Sequence, residues 1–273
     1  MECLSPAEIT AKAQEMVVKK SKVPFGKWIV LGMLAWIYIW LWAIFSITAS
    51  TGFEWMPFGL KKMMAWIAFS LWLILVMIAW AELFTWNTML LVGNADKKLT
   101  IRETIKNWLS VYFTNFAWAL LLVAIVFGAG WYGFGKWAIG LNILDIATHK
   151  VEYWFLQAFC LWILCNILVC LWVRLARAGK TVADKVAGIL FPITAFVAAG
   201  FEHSVANMFY LPMAYVVKNF APESFRVLIW KTANDFANIT WWNIVNNLIP
   251  VTLWNIVWWW IFVWLAYRLV YKK

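Results

Sequence analysis

The chain has 273 residues, of which 65% are hydrophobic, 19% aromatic and 13% charged, with a mean hydropathy of +0.76. Soluble domains carry about 25% charged residues, so an aqueous globular fold is excluded and the chain reads as an integral membrane protein. The net charge of +10 comes from basic residues set between hydrophobic spans. They never gather into a stripe with exposed aromatics, so the expected partner is the lipid bilayer and not nucleic acid.

In chain order, Ser5, Pro6 and Glu8 carry the pattern of N-cap, first helical position and capping-box acid. A short amphipathic helix is therefore predicted within a cytoplasmic segment 1–27, which is too charged for a cleaved signal peptide. Uncharged runs follow at 28–51, 63–81, 83–95, 108–135, 153–173, 186–201, 204–217 and 236–267. Four exceed the roughly 20 residues that cross a bilayer, and the other four form two pairs. Six spans follow, the second and fifth interrupted.

Span one runs from about Trp28 to Thr51, with an outer loop containing Gly52, Pro57 and Gly59. The second element opens near Lys62, breaks at Glu82 and continues uncharged to Gly93, as a broken helix with a re-entering loop would. Span three covers 108–130, and a Gly-rich outer loop from Gly128 to Gly140 leads on to Lys150. Span four covers 151–173. The fifth element breaks at Glu202-His203, with Pro192 and Pro212 on either side, and span six ends near Tyr267 after an Asn-rich approach. Residues 28–268 form one channel domain, and 269–273 a cytoplasmic tail.

Of the 23 Lys and Arg, 16 lie in the N-terminal segment, the 97–106 and 174–185 loops and the C-terminus. The positive-inside rule places both termini in the cytoplasm. Cys160, Cys165 and Cys170 recur at intervals of five, which is neither a redox pair nor metal-ligand spacing, and Cys3 stands apart.

Glu82 and Asn87 are echoed by Glu202 and Asn207: each Glu precedes an Asn by five residues at an interrupted hydrophobic segment. Two halves, 28–130 and 151–268, arranged as an inverted repeat would bring both breaks together near the bilayer midplane. His203 is the sharpest candidate, an imidazole in the middle of an apolar element, able to hold or pass a proton beside a small anion. Glu82 and Glu202 read as acceptors that tie down the two breaks. A catalytic or metal role would need a further convergent ligand, and His149 has none at helical spacing. Neither a cofactor nor an enzymatic activity is expected.

Lys150 is placed to attract anions at an outer mouth or simply to snorkel at the interface. Thr85, Asn87, Asn166, Ser204 and Asn207 supply neutral polar groups, and Phe69, Leu73, Phe84 and Phe196 are candidate apolar constrictions. With no nucleotide-binding loop, the movement expected is passive or proton-linked.

The run Phe191-Pro-Ile-Thr-Ala-Phe-Val-Ala-Ala-Gly-Phe-Glu-His-Ser-Val-Ala-Asn-Met-Phe-Tyr-Leu-Pro212 closely resembles the formate/nitrite transporter family. Ala81-Glu-Leu-Phe-Thr-Trp-Asn-Thr-Met89 and Cys165-Asn-Ile-Leu-Val-Cys170 are similar to it as well, over residues 5–268 in all. The resemblance implies an all-α, aquaporin-like protomer of six transmembrane helices in a homopentamer, in a prokaryotic plasma membrane. It also implies movement of formate, nitrite, hydrosulfide or a related small monovalent anion together with protons. By motif position His203 becomes the central pore histidine, Asn166 its neighbour and Lys150 the basic residue of the outer approach. Thr85 falls on the loop after the broken second element, and Phe69, Leu73, Phe84 and Phe196 become the constrictions.

One departure is systematic: Trp stands where family members usually have Gly, at Trp36, Trp40, Trp42, Trp72, Trp80, Trp86, Trp118, Trp162, Trp172, Trp254 and Trp258. The pattern reads as an engineered or otherwise altered member whose path is blocked or reshaped. Beside the leading reading of a formate-like anion channel stand a nitrite or hydrosulfide channel, a neutral-solute channel and a non-conducting membrane assembly.

Overall fold

The computed structural model describes residues 3–52, 55–78, 81–198, 203–231, 236–258 and 266–271. The first helix, α1 (Pro6–Ser21), starts as the capping box requires: the Glu8 N–H donates to Ser5 Oγ at 3.3 Å and the Ser5 N–H donates to Glu8 Oε2 at 2.7 Å. The hydrogen bonds from Ser5 hold the Glu8 carboxyl below its ordinary range. Ile9, Ala13, Val17 and Lys20 form the buried stripe of this helix.

Beyond α1 the described elements are α2 (Phe25–Ser50), α3 (Phe58–Ile78), α4 (Phe84–Asn87), α5 (Leu90–Ala95) and α6 (Ile101–Gly128). After a 3-10 turn (Trp131–Gly133) come α7 (Ala138–Glu152), α8 (Phe155–Ala178), α9 (Val182–Ala198), α10 (Ser204–Phe220), α11 (Glu223–Lys231), α12 (Trp241–Trp258) and α13 (Ala266–Tyr271). Three of these, over Gly26–Ser50, Phe58–Ile78 and Ile101–Gly128, are long and apolar enough to cross a membrane. Apolar side chains cover their outward faces. On α6, Ile105, Leu109, Phe113, Leu121 and Ile125 are all exposed, as a lipid- or protein-facing stripe must be in a membrane.

The packing has an internal correspondence. Helix α2 packs on α3 and on α6, and α8 packs on α9 and on α12. Helix α4 leans on α6, and α10 on α12. The two sets meet through α3 against α9 and α10 against α6.

Within the Gly128 to Gly140 stretch, residues 129–137 are turn and 3-10 structure, and the connection from there on to Lys150 is helix. Gly130, Lys136 and Trp137 take left-handed backbone angles around the 3-10 turn, and α7 then runs for 15 residues. Ile139, Ile143, Leu144 and Ala147 give it a buried stripe, which packs on α2 and α10. Asp145, His149 and Lys150 on other faces obscure that stripe when charge alone is counted. Lys150 therefore lies in the last turn of α7 and does not open the fourth span, which begins at Phe155.

Helices α8 and α9 approach at backbone distance: a Cβ on Gly188 would stand 2.8 Å from the Leu175 carbonyl carbon and 2.9 Å from the Ala176 nitrogen. Backbone at that distance cannot move aside as a flexible side chain does. Gly188→Ala should cost about 1–3 kcal/mol by overpacking. Gly59→Ala, whose Cβ meets nothing within 4 Å, should be close to neutral. Thermal unfolding of the two variants in detergent checks the contrast.

Candidate functional site

Two helices stop inside the protein, and the candidate residues collect where they do. After α3, Ala81 to Leu83 have no helical structure, and α4 then makes a single turn. A broken helix leaves N–H and C=O groups without intrahelical partners, and neighbouring elements take them up. The Glu82 N–H donates to the Leu31 carbonyl at 3.2 Å. Asn115 on α6 accepts from the Phe84 N–H at 3.0 Å and donates to the Glu82 carbonyl at 3.2 Å. Trp108 on α6 donates its indole N–H to the Asn87 carbonyl at 2.8 Å.

A fully buried polar cluster sits on this turn. Lys20 Nζ lies 2.8 Å from Glu82 Oε1 and donates to Asn87 Oδ1 at 3.0 Å. Asn87 Nδ2 donates to Glu82 Oε2 at 2.6 Å and to Asn107 Oδ1 at 2.9 Å. The ammonium also lies 4.6 Å from the centre of the Trp86 ring. Burial pushes the Lys20 ammonium below its ordinary range, while the Glu82 carboxylate pulls it back up. Lys20 escapes sequence reasoning, although it continues the Ile9, Ala13, Val17 stripe by a helical step, a place where a lysine needs a partner.

The second break lies between α9, which ends at Ala198, and α10. Glu202 falls outside the described residues. His203 is extended, with φ −132° and ψ 120°, and acts as the N-cap of α10: its Nδ1 accepts from the Ala206 N–H at 3.3 Å. It is buried. An imidazole that accepts at Nδ1 carries its hydrogen at Nε2 when neutral. Ser204 is buried beside it. One turn on, Asn207 Nδ2 donates to Asn247 Oδ1 at 2.8 Å, and Asn247 Nδ2 donates to the Lys150 carbonyl at 3.0 Å. Asn207 thus ties α10 to α12 as Asn87 ties α4 to α6.

Lys150 and His203 are joined by aromatic rings. The Lys150 ammonium lies 5.8 Å from the Tyr210 ring centre. Tyr210 meets Trp42 at 5.7 Å, Trp42 meets Trp72 at 5.9 Å, and Trp72 stands edge-on to His203 at 5.4 Å. These are ring-contact distances.

The remaining candidates divide. Thr85 and Phe84 are buried in α4, with Phe84 edge-on to Tyr112 at 5.0 Å, and Leu73 is buried in α3 beside Trp72. Phe69 lies in α3, Asn166 in α8 and Phe196 in α9, but the side chains of all three fall outside the described set, as does Trp80 altogether. The structure thus joins Glu82 to Asn87 directly, and Lys150 to His203 through rings.

Removing one partner of a buried ion pair strands the other charge. Lys20→Met should cost about 3–5 kcal/mol, and Lys20→Met with Glu82→Gln should recover much of that loss. A double-mutant cycle on detergent stability measures both, and a Lys20→Met chain as stable as the parent would show that the pair carries no weight.

A model of the formate/nitrite transporter family matches residues 7–269. The chain is 40% identical over 240 residues to the formate channel FocA of Escherichia coli (strain K12), covering 87% of this chain and 83% of the relative. It is 38% identical over 225 residues to the formate channel FocA of Haemophilus influenzae, covering 81% and 78%. Among solved structures it is similar to a pentameric formate channel with formate bound, with 41% identity, a TM-score of 0.81, and 91% and 98% of the two chains covered. An FNT family ion channel, 22% identical with a TM-score of 0.79 and covering 96% and 98%, shares the fold.

Proposed function

Because the chain belongs to the formate/nitrite transporter family, we propose that it is a passive channel for formate or a closely related small monovalent anion. The observation that carries the mechanism is the N-cap geometry of His203, whose Nδ1 is held by the Ala206 N–H. The ring then offers a donor, Nε2–H, to an anion beside it. Acid that converts the ring to the imidazolium, at the cost of the Ala206 contact, lets it pass the Nε2 hydrogen to a weak-acid anion and return to neutral imidazole, and the neutral acid so formed crosses an apolar constriction at lower cost. Re-protonation of the imidazole resets it.

Lys150, half-buried at the end of α7, recruits the anion by charge. Asn207 and Asn247 hold α10, α12 and the Lys150 carbonyl in one frame. Leu73, Phe84, Phe69 and Phe196 form the constrictions that hydrated cations do not pass. Thr85, Asn166 and Ser204 line the polar stretch between them, while Glu82 and Glu202 with Asn87 and Asn207 fix the two breaks.

Six spans complete the architecture: α2, α3 with α4 and α5, α6, α8, α9 with α10, and α12. The matching contacts of α2, α3, α4 and α6 with those of α8, α9, α10 and α12 support an inverted repeat of two halves, 28–130 and 151–268. The chain assembles as a homopentamer, a reading supported by its likeness to a pentameric formate channel and by its exposed apolar faces. Both termini lie in the cytoplasm, a reading supported by the basic residues at 1–27, 97–106, 174–185 and 268–273, and the membrane is the prokaryotic plasma membrane that the family resemblance implies.

The test uses membrane vesicles from the cells that encode the protein, loaded with labelled formate under an imposed pH gradient. Lys150→Ala should slow uptake by about tenfold at low formate and low salt, and by less at high salt. His203→Asn keeps an N-cap acceptor but cannot exchange a proton. It should remain folded and lose the acceleration by outside acid. Acceleration that survives in His203→Asn would remove the histidine from the proton step, and vesicles lacking the gene that match the parent would remove formate as the substrate.

A further inference from the structure

Tryptophan is over-used in this chain and glycine under-used, 24 against 13. Glycine averages about 7% of residues in proteins and is more frequent in membrane helices than in soluble ones. Interfacial anchoring does not account for the excess. Trp36, Trp42 and Trp72 are among the largest wholly buried side chains, and they lie well inside α2 and α3.

A buried indole N–H ordinarily finds an acceptor. Among the described residues, Nε1 of Trp36, Trp40 and Trp172 has none. Ala35 and Ala43, next in the chain to Trp36 and Trp42, are completely buried. At Gly32 of α2 and Gly188 of α9 the next helix presses on the glycine. A Cβ on Gly32 would stand 2.8 Å from Thr114 Cγ2, and Gly188 meets backbone at the same distance. Close helix crossings in membranes are built from such small residues.

The excess also falls on one residue type. Gradual replacement of glycine in packed helices scatters over alanine, serine and cysteine, the residues that still fit. Over-use of the largest side chain together with under-use of the smallest is instead the mark of a single codon with two meanings. UGA is such a codon, a stop in the standard code, tryptophan in one variant code and glycine in another.

We propose that Trp42 and Trp72 plug the route from Lys150 to His203, and that the chain made in its source cell carries glycine at both positions, through UGA codons which that cell reads as glycine. The route rests on the channel reading above; the glycine assignment does not. With both indoles present, Tyr210, Trp42, Trp72 and His203 touch in series. Each indole is larger than a carboxylate anion, so taking both away opens a path from the lysine to the imidazole.

The experiment has two arms. Peptides from α2 and α3 of the protein isolated from its source cell are sequenced by mass spectrometry, with glycine expected at positions 42 and 72. In parallel, the chain with tryptophan throughout and its Trp42→Gly/Trp72→Gly variant are reconstituted in liposomes as size-checked oligomers, and formate uptake is timed. The double variant should exceed the tryptophan chain by at least about tenfold. Tryptophan at either position in the source-cell peptides overturns the codon assignment, whether or not either chain folds in liposomes. Equal uptake by the two chains, above empty liposomes, overturns the plug. Glycine in the peptides, with no formate uptake by source-cell protein reconstituted in the same way, upholds the codon assignment and overturns the formate reading.

Discussion

A helix that ends inside a bilayer leaves backbone groups where no water can reach them, and every broken helix in a membrane protein must answer that constraint. Here the answer differs at the two breaks. At the first, α6 supplies it: Asn115 bonds both the Phe84 N–H and the Glu82 carbonyl, and Trp108 takes the Asn87 carbonyl. At the second, His203 supplies it from within the same chain segment by capping α10 with its own ring. In the proposed mechanism the residue that closes the helix is also the one that meets the anion, so one side chain serves both structure and transport.

That sharing limits what the imidazole can do. Its Nδ1 lone pair is committed to the Ala206 N–H, so chemistry on the free side of the ring proceeds through Nε2. Protonating Nδ1 would uncap α10, which carries an unbroken buried stretch from Ser204 to Ala214. The asparagine ties spread any such disturbance: Asn207 is bound to Asn247, and Asn247 to the carbonyl of Lys150. Lys150 and His203 are therefore linked through backbone and amide contacts as well as along the aromatic series.

Much of this was legible in the sequence because it depends on local pattern. The Ser5 to Glu8 capping box specifies the start of α1, and the Glu82 to Asn87 spacing puts carboxylate and amide on one turn at hydrogen-bond distance. Charge within the apolar runs, at Glu82 and at Glu202-His203, marks where the second and fifth elements are interrupted. Features that need a partner far along the chain were not legible. Lys20 reads as one of several N-terminal lysines until Glu82 stands opposite it. Helix α7 was hidden because its buried stripe of Ile139, Ile143, Leu144 and Ala147 is short and flanked by Asp145, His149 and Lys150. The series from Tyr210 through Trp42 and Trp72 joins three helices, so no single stretch of sequence contains it.

The pairing of Lys20 with Glu82 also orders the assembly of the molecule. The two residues are separated by 62 positions, with α2 and α3 between them. Helix α1 is synthesised before α2, α3 and α4, yet its buried lysine has no site until both intervening helices are in place and the α4 turn has formed. Contacts of such long sequence separation close slowly, after local structure. Helix α1, made before the helices it packs on, is accordingly among the last to dock, and its arrival latches α2 to α4 once they have been built.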